Sequence, residues 1–474
     1  MIGILFMGVF AHTALSRGDL DRTKRPEGKP APKVQLPQIQ KTKLKNGLNV
    51  WLVEQHELPT VAINLVIQAG SDHDPAGQAG LASMTADLLD EGTKTLTSLQ
   101  IAEQLESTGA TLNTNSSFDG SFMTLTTLTK HLDPAVKVFT DVLMNPVFPK
   151  KDFERIRKQR LTALIQQRDQ PPAIANNAYA RILYGAAHPY GNNPVGTESS
   201  LKAMTTDDLR KFYETYYRPN NATLIVVGDV LMKDVTSRLD DAMAGWQAGD
   251  VASFTVPEPQ AVDKIRVYLI DKPGAAQSEV RIGYPSLARN TPDYFPVFVM
   301  NRILGGQFTS RINLNLRERH GYTYGANSGF AFRKGVGPFT AQGGIVTEKT
   351  DSALHEFMNE INLMREKGMT AEELAFAKKG LIGNFALAFE TPAQIAGRLQ
   401  DLLLYNLPED YYNNYLQNID GVTLAEAQRV AGKYLNSSAM SVVVVGDLAK
   451  IKEGVSKLDL GEIVLCDLDG KPVQ

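Results

Sequence analysis

The stretch Ala222-Thr-Leu-Ile-Val-Val-Gly-Asp229 decides the fold, because a closely similar stretch, Met440-Ser-Val-Val-Val-Val-Gly-Asp447, recurs 218 residues later. Each copy contains a short run of apolar residues, which is typical of a buried strand. An amphipathic segment precedes each copy and ends at Tyr216 in the first and at Tyr434 in the second. The chain therefore contains an internal repeat whose period is far too long for a solenoid.

The segments before the two strands also begin alike. Thr205 is followed three residues later by Asp208, and Thr423 is followed at the same spacing by Glu426. Threonine favours the N-cap of a helix, and an acid three residues later is stabilised at the positive helix end. Each half is therefore expected to end in a capped helix and a buried strand, and two such halves tend to enclose a cleft.

A Val-Pro-Glu-Pro segment marks a linker between the halves. We predict a hydrophobic leader at residues 1–16, a basic proline-rich linker at 17–37, a first half at 38–248, the interdomain linker at 249–261, a second half at 262–461 and a tail at 462–474.

The order of elements in the first half indicates the fold class. Asn46-Gly47 predicts a hairpin with a type I′ turn. Further strands are expected at 60–68, 110–115 and 121–129, and helices at 77–91, 98–107, 134–143 and 151–167. Because these elements do not alternate strictly, we predict an α+β fold, in which each half is a largely antiparallel sheet with helices packed on one face.

Composition excludes several classes of protein. With 474 residues, 43% hydrophobic and 21% charged, the chain is long enough to bury a large core, and we expect a folded soluble protein. A formal charge of -3 provides no broad positive surface, so nucleic acid is not an expected partner. Cys466 is the only cysteine, which leaves no internal disulfide and no thiolate zinc cluster.

The N-terminal residues suggest export. An apolar run at residues 2–11 is followed by small residues, as in a secretory signal, although no Lys or Arg precedes it. We expect a periplasmic or secreted protein, with a plain hydrophobic tail as the alternative. The run is about half of what a membrane span requires, so no stable span is predicted.

One segment carries a family resemblance. Gly80-Leu-Ala-Ser-Met-Thr-Ala-Asp-Leu-Leu-Asp-Glu-Gly-Thr93 resembles the active-site helix of the pitrilysin and mitochondrial processing peptidase family, also known as insulinase-like inverzincins. In the family this frame contains the motif His-x-x-Glu-His, whose place is taken here by Ser83, Ala86 and Asp87. The family's third zinc ligand, a glutamate, would fall near Thr162 or Ala163. The resemblance therefore implies a degenerate zinc motif and no metal in this chain.

Other donors do not replace the missing ligands. Two histidines four residues apart on a helix could share one zinc ion, but no two of the seven histidines are three to five residues apart. Asp72-His73-Asp74 is the densest donor cluster. We expect it to be a turn that hydrogen-bonds its own backbone rather than a metal site.

The resemblance extends over nearly all of the chain after residue 38, and it implies a clam-shell half built from two similar domains. Residues 109–113 resemble the family's edge strand beside the zinc, which makes Leu112 and Asn113 candidate substrate-binding residues, and residues 188–197 resemble its conserved loop.

A second motif falls in the other half. Residues 304–311 and 316–324 resemble the stretch that carries the family's Arg/Tyr pair, and the matching positions are Arg317 and Tyr324. The family pair faces a zinc helix, where it can stabilise the developing oxyanion. From spacing alone, Arg317 is a solvated helix-end residue and Tyr324 a core strand residue; the resemblance favours catalytic roles. Tyr322 is expected on the same strand face as Tyr324.

Some family members are heterodimers in which one chain supplies the zinc. The leading hypothesis is that this chain is the zinc-free subunit, inactive alone, which completes a chamber for unfolded peptides and supplies Arg317 and Tyr324 in trans to a zinc-bearing partner.

Two other hypotheses remain. A scaffold or peptide-binding protein of the same fold, like respiratory-complex core proteins, would have no need of the Arg/Tyr pair. An autonomous metallopeptidase would have to use Asp87 with distant ligands.

Overall fold

The computed structural model describes residues 37–473; the predicted leader and all but the last residue of the 17–37 linker lie outside the described residues. Two six-stranded sheets organise these residues. The strands of the first sheet are β1 (Gln40–Lys43), β2 (Asn49–Glu54), β3 (Thr60–Ile67), β4 (Thr111–Ser116), β5 (Ser121–Leu128) and β6 (Ala222–Gly228). Those of the second are β7 (Arg266–Asp271), β8 (Gln277–Leu287), β9 (Thr323–Phe330), β10 (Gly337–Val346), β11 (Ser441–Gly446) and β12 (Glu462–Cys466).

Sixteen α-helices lie in the described residues. Those of the first half are α1 (Leu81–Asp87), α2 (Ser98–Thr108), α3 (Leu132–Met144), α4 (Lys150–Gln167), α5 (Pro171–Tyr184), α6 (Glu198–Ala203), α7 (Thr206–Tyr216) and α8 (Met232–Ala242). Those of the second are α9 (Tyr294–Leu304), α10 (Arg311–Asn313), α11 (Thr350–Lys367), α12 (Ala371–Phe385), α13 (Pro392–Leu404), α14 (Tyr415–Gly421), α15 (Leu424–Tyr434) and α16 (Leu448–Lys457). A π-helical turn, Leu314–Arg319, continues α10.

Five strands of each sheet share one topology, and the sixth, β1 or β12, is antiparallel to its neighbour in the first sheet and parallel in the second. The strand orders are β1-β2-β6-β3-β5-β4 and β12-β7-β11-β8-β10-β9, so β2 to β6 correspond to β7, β8, β9, β10 and β11. Most neighbours are antiparallel, and the parallel pairs are β2 with β6 and β7 with both β11 and β12. Thr205 and Thr423 each form a capping box, at the starts of α7 and α15. The predicted α+β fold with two homologous halves is confirmed.

Each sheet is also covered on its second face, by a helix of the other half. In the second half, α13 lies on β3 and β6 of the first sheet. Its Ile395, Ala396 and Leu399 are buried in one cluster with Val66 and Ile225. This packing explains why every residue of β6 is buried, and it adds a layer to the predicted arrangement with helices on one face.

The first half makes the equivalent contact in return. Helix α5 lies on β8 and β11 of the second sheet, which are the counterparts of β3 and β6. Its Ala175 and Ala178 are fully buried in one cluster with Val443 and Val445. Because alanine side chains are short, the helix backbone can approach the sheet closely. The halves therefore interlock through a reciprocal exchange of helices.

The predicted tail is wrong in its first part. Residues 462–466 form β12, the edge strand that pairs in parallel with β7. The pairing satisfies the backbone groups on the outer side of β7, which would otherwise be an open edge. A turn follows, and Val473 N donates to Leu465 O over 2.8 Å, so the chain returns alongside β12.

Two local predictions also differ from the structure. Of the two turn residues, only Gly47 has a positive φ, 93°, so the hairpin turn is not type I′. The Asn46 side chain instead donates to Met243 O and accepts from Leu48 N. Helix α1 is shorter than the predicted 77–91. It cannot begin before Leu81, because Gly77 and Gly80 have positive φ values of 81° and 91°. At its other end it stops at Asp87.

No helix within residues 37–473 has the length and apolar character needed to cross a bilayer. Residues 249–261 form neither helix nor strand.

The exchanged helix should contribute to the stability of the opposite half. Leu399 on α13 is fully buried, so we expect Leu399→Ala to lower the free energy of unfolding by about 2–5 kcal/mol. Urea unfolding can be followed by fluorescence of Trp51 and Trp246, the only two tryptophans, both in the first half. Leu387→Ala is the control, since Leu387 is 56% exposed and a change within about 0.5 kcal/mol is expected. Equal effects of the two substitutions would contradict the exchange.

Candidate functional site

The residues at the expected zinc positions lie on α1. Ser83 and Ala86 are buried, and the Ser83 hydroxyl has no hydrogen-bond partner in the described residues. The Asp87 side chain is partly exposed at the last position of the helix. Helix α1 packs against α7, β4 and β5. A hydroxyl, a methyl group and one carboxylate therefore line this part of α1.

The Asp87 carboxylate has a cationic partner. Arg160, on α4, donates from Nη2 to Asp87 Oδ2 over 2.6 Å, and from Nη1 to Val195 O over 3.1 Å. The Arg160 side chain is only 11% exposed. A largely buried guanidinium thus lies within hydrogen-bond distance of the side chain at position 87. Sequence reasoning missed this contact. The third ligand was expected near Thr162 or Ala163, and Arg160 lies three residues before Ala163, close to the same helix face.

The Asp72-His73-Asp74 segment supports the N-terminal end of α1. Asp72 accepts from Gly70 N over 3.0 Å, so the predicted turn bonded to its own backbone is confirmed there, and His73 Nδ1 lies 2.5 Å from Asp72 Oδ1. Asp74 accepts from Gly80 N over 2.7 Å and from Ala82 N over 2.8 Å. Burial raises the pKa of Asp74 to about 7, and these two backbone bonds oppose that shift.

These residues do not fit a zinc ion. Zinc requires three or four N, S or O donors around one point, whereas α1 offers one carboxylate that is already paired with a guanidinium. Across residues 37–473, no group of three or more His, Cys, Asp and Glu side chains could hold a metal ion. The side chains of α1 therefore do not provide the ligands that a catalytic zinc ion requires.

The predicted edge strand lies beside this helix. Leu112 and Asn113 are on β4, the outermost strand of the first sheet, and β4 pairs only with β5. Asn113 is exposed, Leu112 is half-buried, and α1 packs against β4. The outer backbone edge of β4 is therefore available to pair with an extended chain.

Arg317 and Tyr324 lie on neighbouring elements of the second half. Arg317 is in the π-helical turn that packs against β9, and its guanidinium carbon lies 4.5 Å from the centre of the Phe308 ring. Tyr324 is on β9 and is 88% exposed. The expectation from spacing alone that Tyr324 is a core residue is wrong; the partly exposed Arg317 matches that of a helix-end residue.

A β-bulge explains the orientation of Tyr324. Thr323 pairs with Ile345 and Ala326 pairs with Gly343, so Tyr324 and Gly325 together oppose Gly344. Bulges redirect side chains and occur frequently near functional sites. Tyr322 precedes the strand, is half-buried against the core and stacks on His320, so its predicted position on the same strand face as Tyr324 is wrong.

The two groups of candidate residues belong to separate halves. The elements that pack against α1 are all in the first half, and those that pack against the π-helical turn, β9, α10 and α11, are all in the second. The loop at residues 188–197 makes contacts that hold other segments in place. His188 Nε2 lies 2.8 Å from Pro257 O, and the Tyr190 hydroxyl donates to Asp119 over 2.8 Å.

The Asp74 carboxyl group, which accepts two backbone bonds at the start of α1, should make the stability of the chain depend on pH. The folded chain holds the Asp74 proton up to about pH 7, whereas the unfolded chain releases it near pH 3.8, so folding takes up a proton between these values. We therefore expect the free energy of unfolding of wild type, minus that of Asp74→Asn, to fall as the pH is raised from about 5 to about 8. Urea titrations across this range measure the difference; a constant or rising difference would contradict the raised pKa.

Arg160 should oppose zinc binding even when ligands are restored. We combine Ser83→His, Ala86→Glu, Asp87→His and Ala163→Glu, and we expect weak zinc binding because the guanidinium repels the metal ion. Adding Arg160→Ala should raise the affinity by roughly tenfold or more, measured by zinc titration. Equal affinities with and without Arg160 would show that its charge does not oppose the metal.

Comparisons with known proteins identify the fold family. A family model described as "Insulinase (Peptidase family M16)" matches residues 49–190, and one described as "Peptidase M16 inactive domain" matches residues 203–381. A crystal structure of the peptidase M16 inactive domain from Pseudomonas fluorescens superimposes with a TM-score of 0.81 and 28% identity, covering 86% of this chain and 98% of that one. A protease structure from Helicobacter pylori gives a TM-score of 0.79 at 22% identity, over 86% and 100% of the two chains.

Among the relatives found by sequence, some are named as proteases and one is named as a non-peptidase. The "Non-peptidase homolog YmxG" of Helicobacter pylori is 27% identical over 84% of this chain and 92% of its own length. The "Uncharacterized zinc protease YmxG" of Bacillus subtilis is 23% identical over 74% and 85%. The two family models match the two halves in turn, as the repeat requires, and the chain belongs to the M16 family of insulinase-like peptidases.

Proposed function

We propose that this chain is the non-catalytic subunit of a heterodimeric zinc metallopeptidase that cleaves unfolded peptides. The observation that carries the proposal is the contrast between α1, where Asp87 is paired with Arg160, and Tyr324, which is exposed at the bulge of an edge strand. Zinc belongs in the partner subunit, which would bear the intact motif. The likeness to a relative that is named a non-peptidase homolog supports this division of roles.

Arg317 and Tyr324 act in trans in this proposal. The Tyr324 side chain makes no hydrogen bond within residues 37–473, and the Arg317 side chain has only Glu318 as a charged partner there, at 3.6 Å. Both groups are free to donate to a molecule outside the chain. A guanidinium and a phenol placed against the partner's zinc would stabilise the negative charge that develops on the substrate carbonyl oxygen.

The peptide would pair along β4. Its free backbone edge offers alternating N–H and C=O groups to an extended segment, and Leu112 and Asn113 would contact alternate side chains of that segment. An unfolded substrate fits this geometry because a folded domain has few unpaired extended segments. We also propose that the chain is exported to the periplasm, and this part of the proposal rests on the N-terminal sequence alone.

A scaffold function is the second candidate. The interlocked core and the absence of a zinc-compatible donor set on α1 suit a structural role equally well. A scaffold has no chemical need for an exposed tyrosine at a bulge. Isolation of the chain with a membrane complex, and without any peptidase, would favour this alternative.

The trans assignment can be tested with matched double variants. The chain is mixed with a zinc-bearing homologue, and peptide cleavage is compared for Arg317→Ala/Tyr324→Phe and for Arg319→Ala/Tyr322→Phe, which changes the same residue types nearby. We expect kcat/KM to fall by about 10²-fold for the first pair and to change little for the second. Size-exclusion chromatography checks that each variant still forms the complex. If the assembled complex cleaves equally well with either pair, these residues are not catalytic.

A further inference from the structure

A groove separate from the sites above lies between α4 and α5. Its cavity has a volume of 490 Å³ and is bordered by the C-terminal end of α4, by one face of α5 and by the loop at residues 191–199. The turn after β12 closes one side. There Gly470, with a φ of 76°, lies against α5, and a Cβ at this position would be 2.9 Å from the Ala178 Cα. The C-terminal residues are thus part of the groove wall.

The groove has uncompensated positive charge. Two of its cations are paired with its two acids: Arg168 with Asp469 at 3.3 Å, and Lys202 with Glu198 at 2.6 Å. The other two, Arg181 and Lys471, have no ion pair and no side-chain hydrogen bond within residues 37–473. The lining therefore has a net charge of +2.

Arg181 is the more informative of these cations. It lies on α5 and is half-buried, whereas Lys471 is exposed to solvent. A guanidinium presents five donors in a fixed fork that matches a carboxylate, and partial burial without a partner costs hydration free energy. Nearby polar groups include the amides of Asn192 and Asn193 and the hydroxyl of Thr197, none of which carries charge. A bound anion would pair with Arg181 without displacing an existing ion pair.

The groove is elongated. A second cavity of 320 Å³ shares Arg181, Asn192, Asn193, Thr197 and Ser199 with the first. It reaches Asp74, whose carboxylate is held by the backbone at the start of α1. Arg181 therefore borders both cavities. Such a shape suits an extended chain better than a compact ion.

We propose that this groove binds an acidic segment of an extended peptide, with a carboxylate on Arg181 and a second acidic group toward Lys471. The groove is distinct from the β4 edge and from the Arg317/Tyr324 pair, and its ligand is recognised by charge. Binding occurs on this chain alone, so it holds whether or not the chain assembles with a peptidase.

Fluorescence anisotropy of the full chain tests the proposal. The probe is a fluorescein-labelled hexapeptide of glutamates with an amidated C-terminus, and the matched probe contains glutamines. We expect the glutamate peptide to bind more tightly, and Arg181→Gln to weaken its binding by roughly tenfold or more. Lys471→Gln should weaken it less. Arg210→Gln, which removes an equal charge outside the groove, is the control and should have little effect.

Each outcome decides the proposal. Equal binding of the two peptides, or equal affinities of Arg181→Gln and Arg210→Gln, would overturn it. Inorganic phosphate that displaces the probe at or below the concentration of unlabelled glutamate peptide would show a site for small anions, which also contradicts a peptide groove. If thermal unfolding shows that Arg181→Gln is misfolded, Lys471→Gln takes its place, because this exposed residue is outside the core, and unchanged binding would then refute the proposal.

Discussion

The reciprocal packing of α5 and α13 is the constraint on which the rest of the structure depends. Each helix supplies the apolar cover that the opposite sheet needs on its second face, so neither sheet is fully buried by its own half. Hydrophobic burial of this extent holds the two halves against each other through both helices.

The same packing determines where the two groups of candidate residues lie. Helix α1 and the Arg317/Tyr324 region lie in different halves, and the main contacts of each are within its own half. At α1, the carboxylate of Asp87 is paired with the guanidinium of Arg160. At β9, the bulge presents Tyr324 outward, and its side chain is exposed.

Sequence reasoning predicted the features that depend on local patterns and missed those that depend on contacts between elements far apart in the sequence. The apolar runs and the threonine caps at Thr205 and Thr423 predicted the repeated ends of both halves, because strand burial and capping are local effects. The exchange of α5 and α13 has no local signal, since a helix is amphipathic whichever sheet it covers. The assignment of residues 462–474 as a tail failed for the same reason: β12 is a strand only because β7 offers it an edge. Arg160 was missed because its role depends on the proximity of α4 to α1.

Native-state hydrogen exchange at increasing denaturant tests most directly whether the two halves form one unit. The informative amides are those of Ile225 and Val227 in β6, which α13 covers, and of Val443 and Val445 in β11, which α5 covers. We expect both strands to exchange through the same global opening, with equal free energies and equal dependence on denaturant. Exchange of β11 through an opening that leaves β6 protected would show that the halves are independent and that the cleft can open within a single chain.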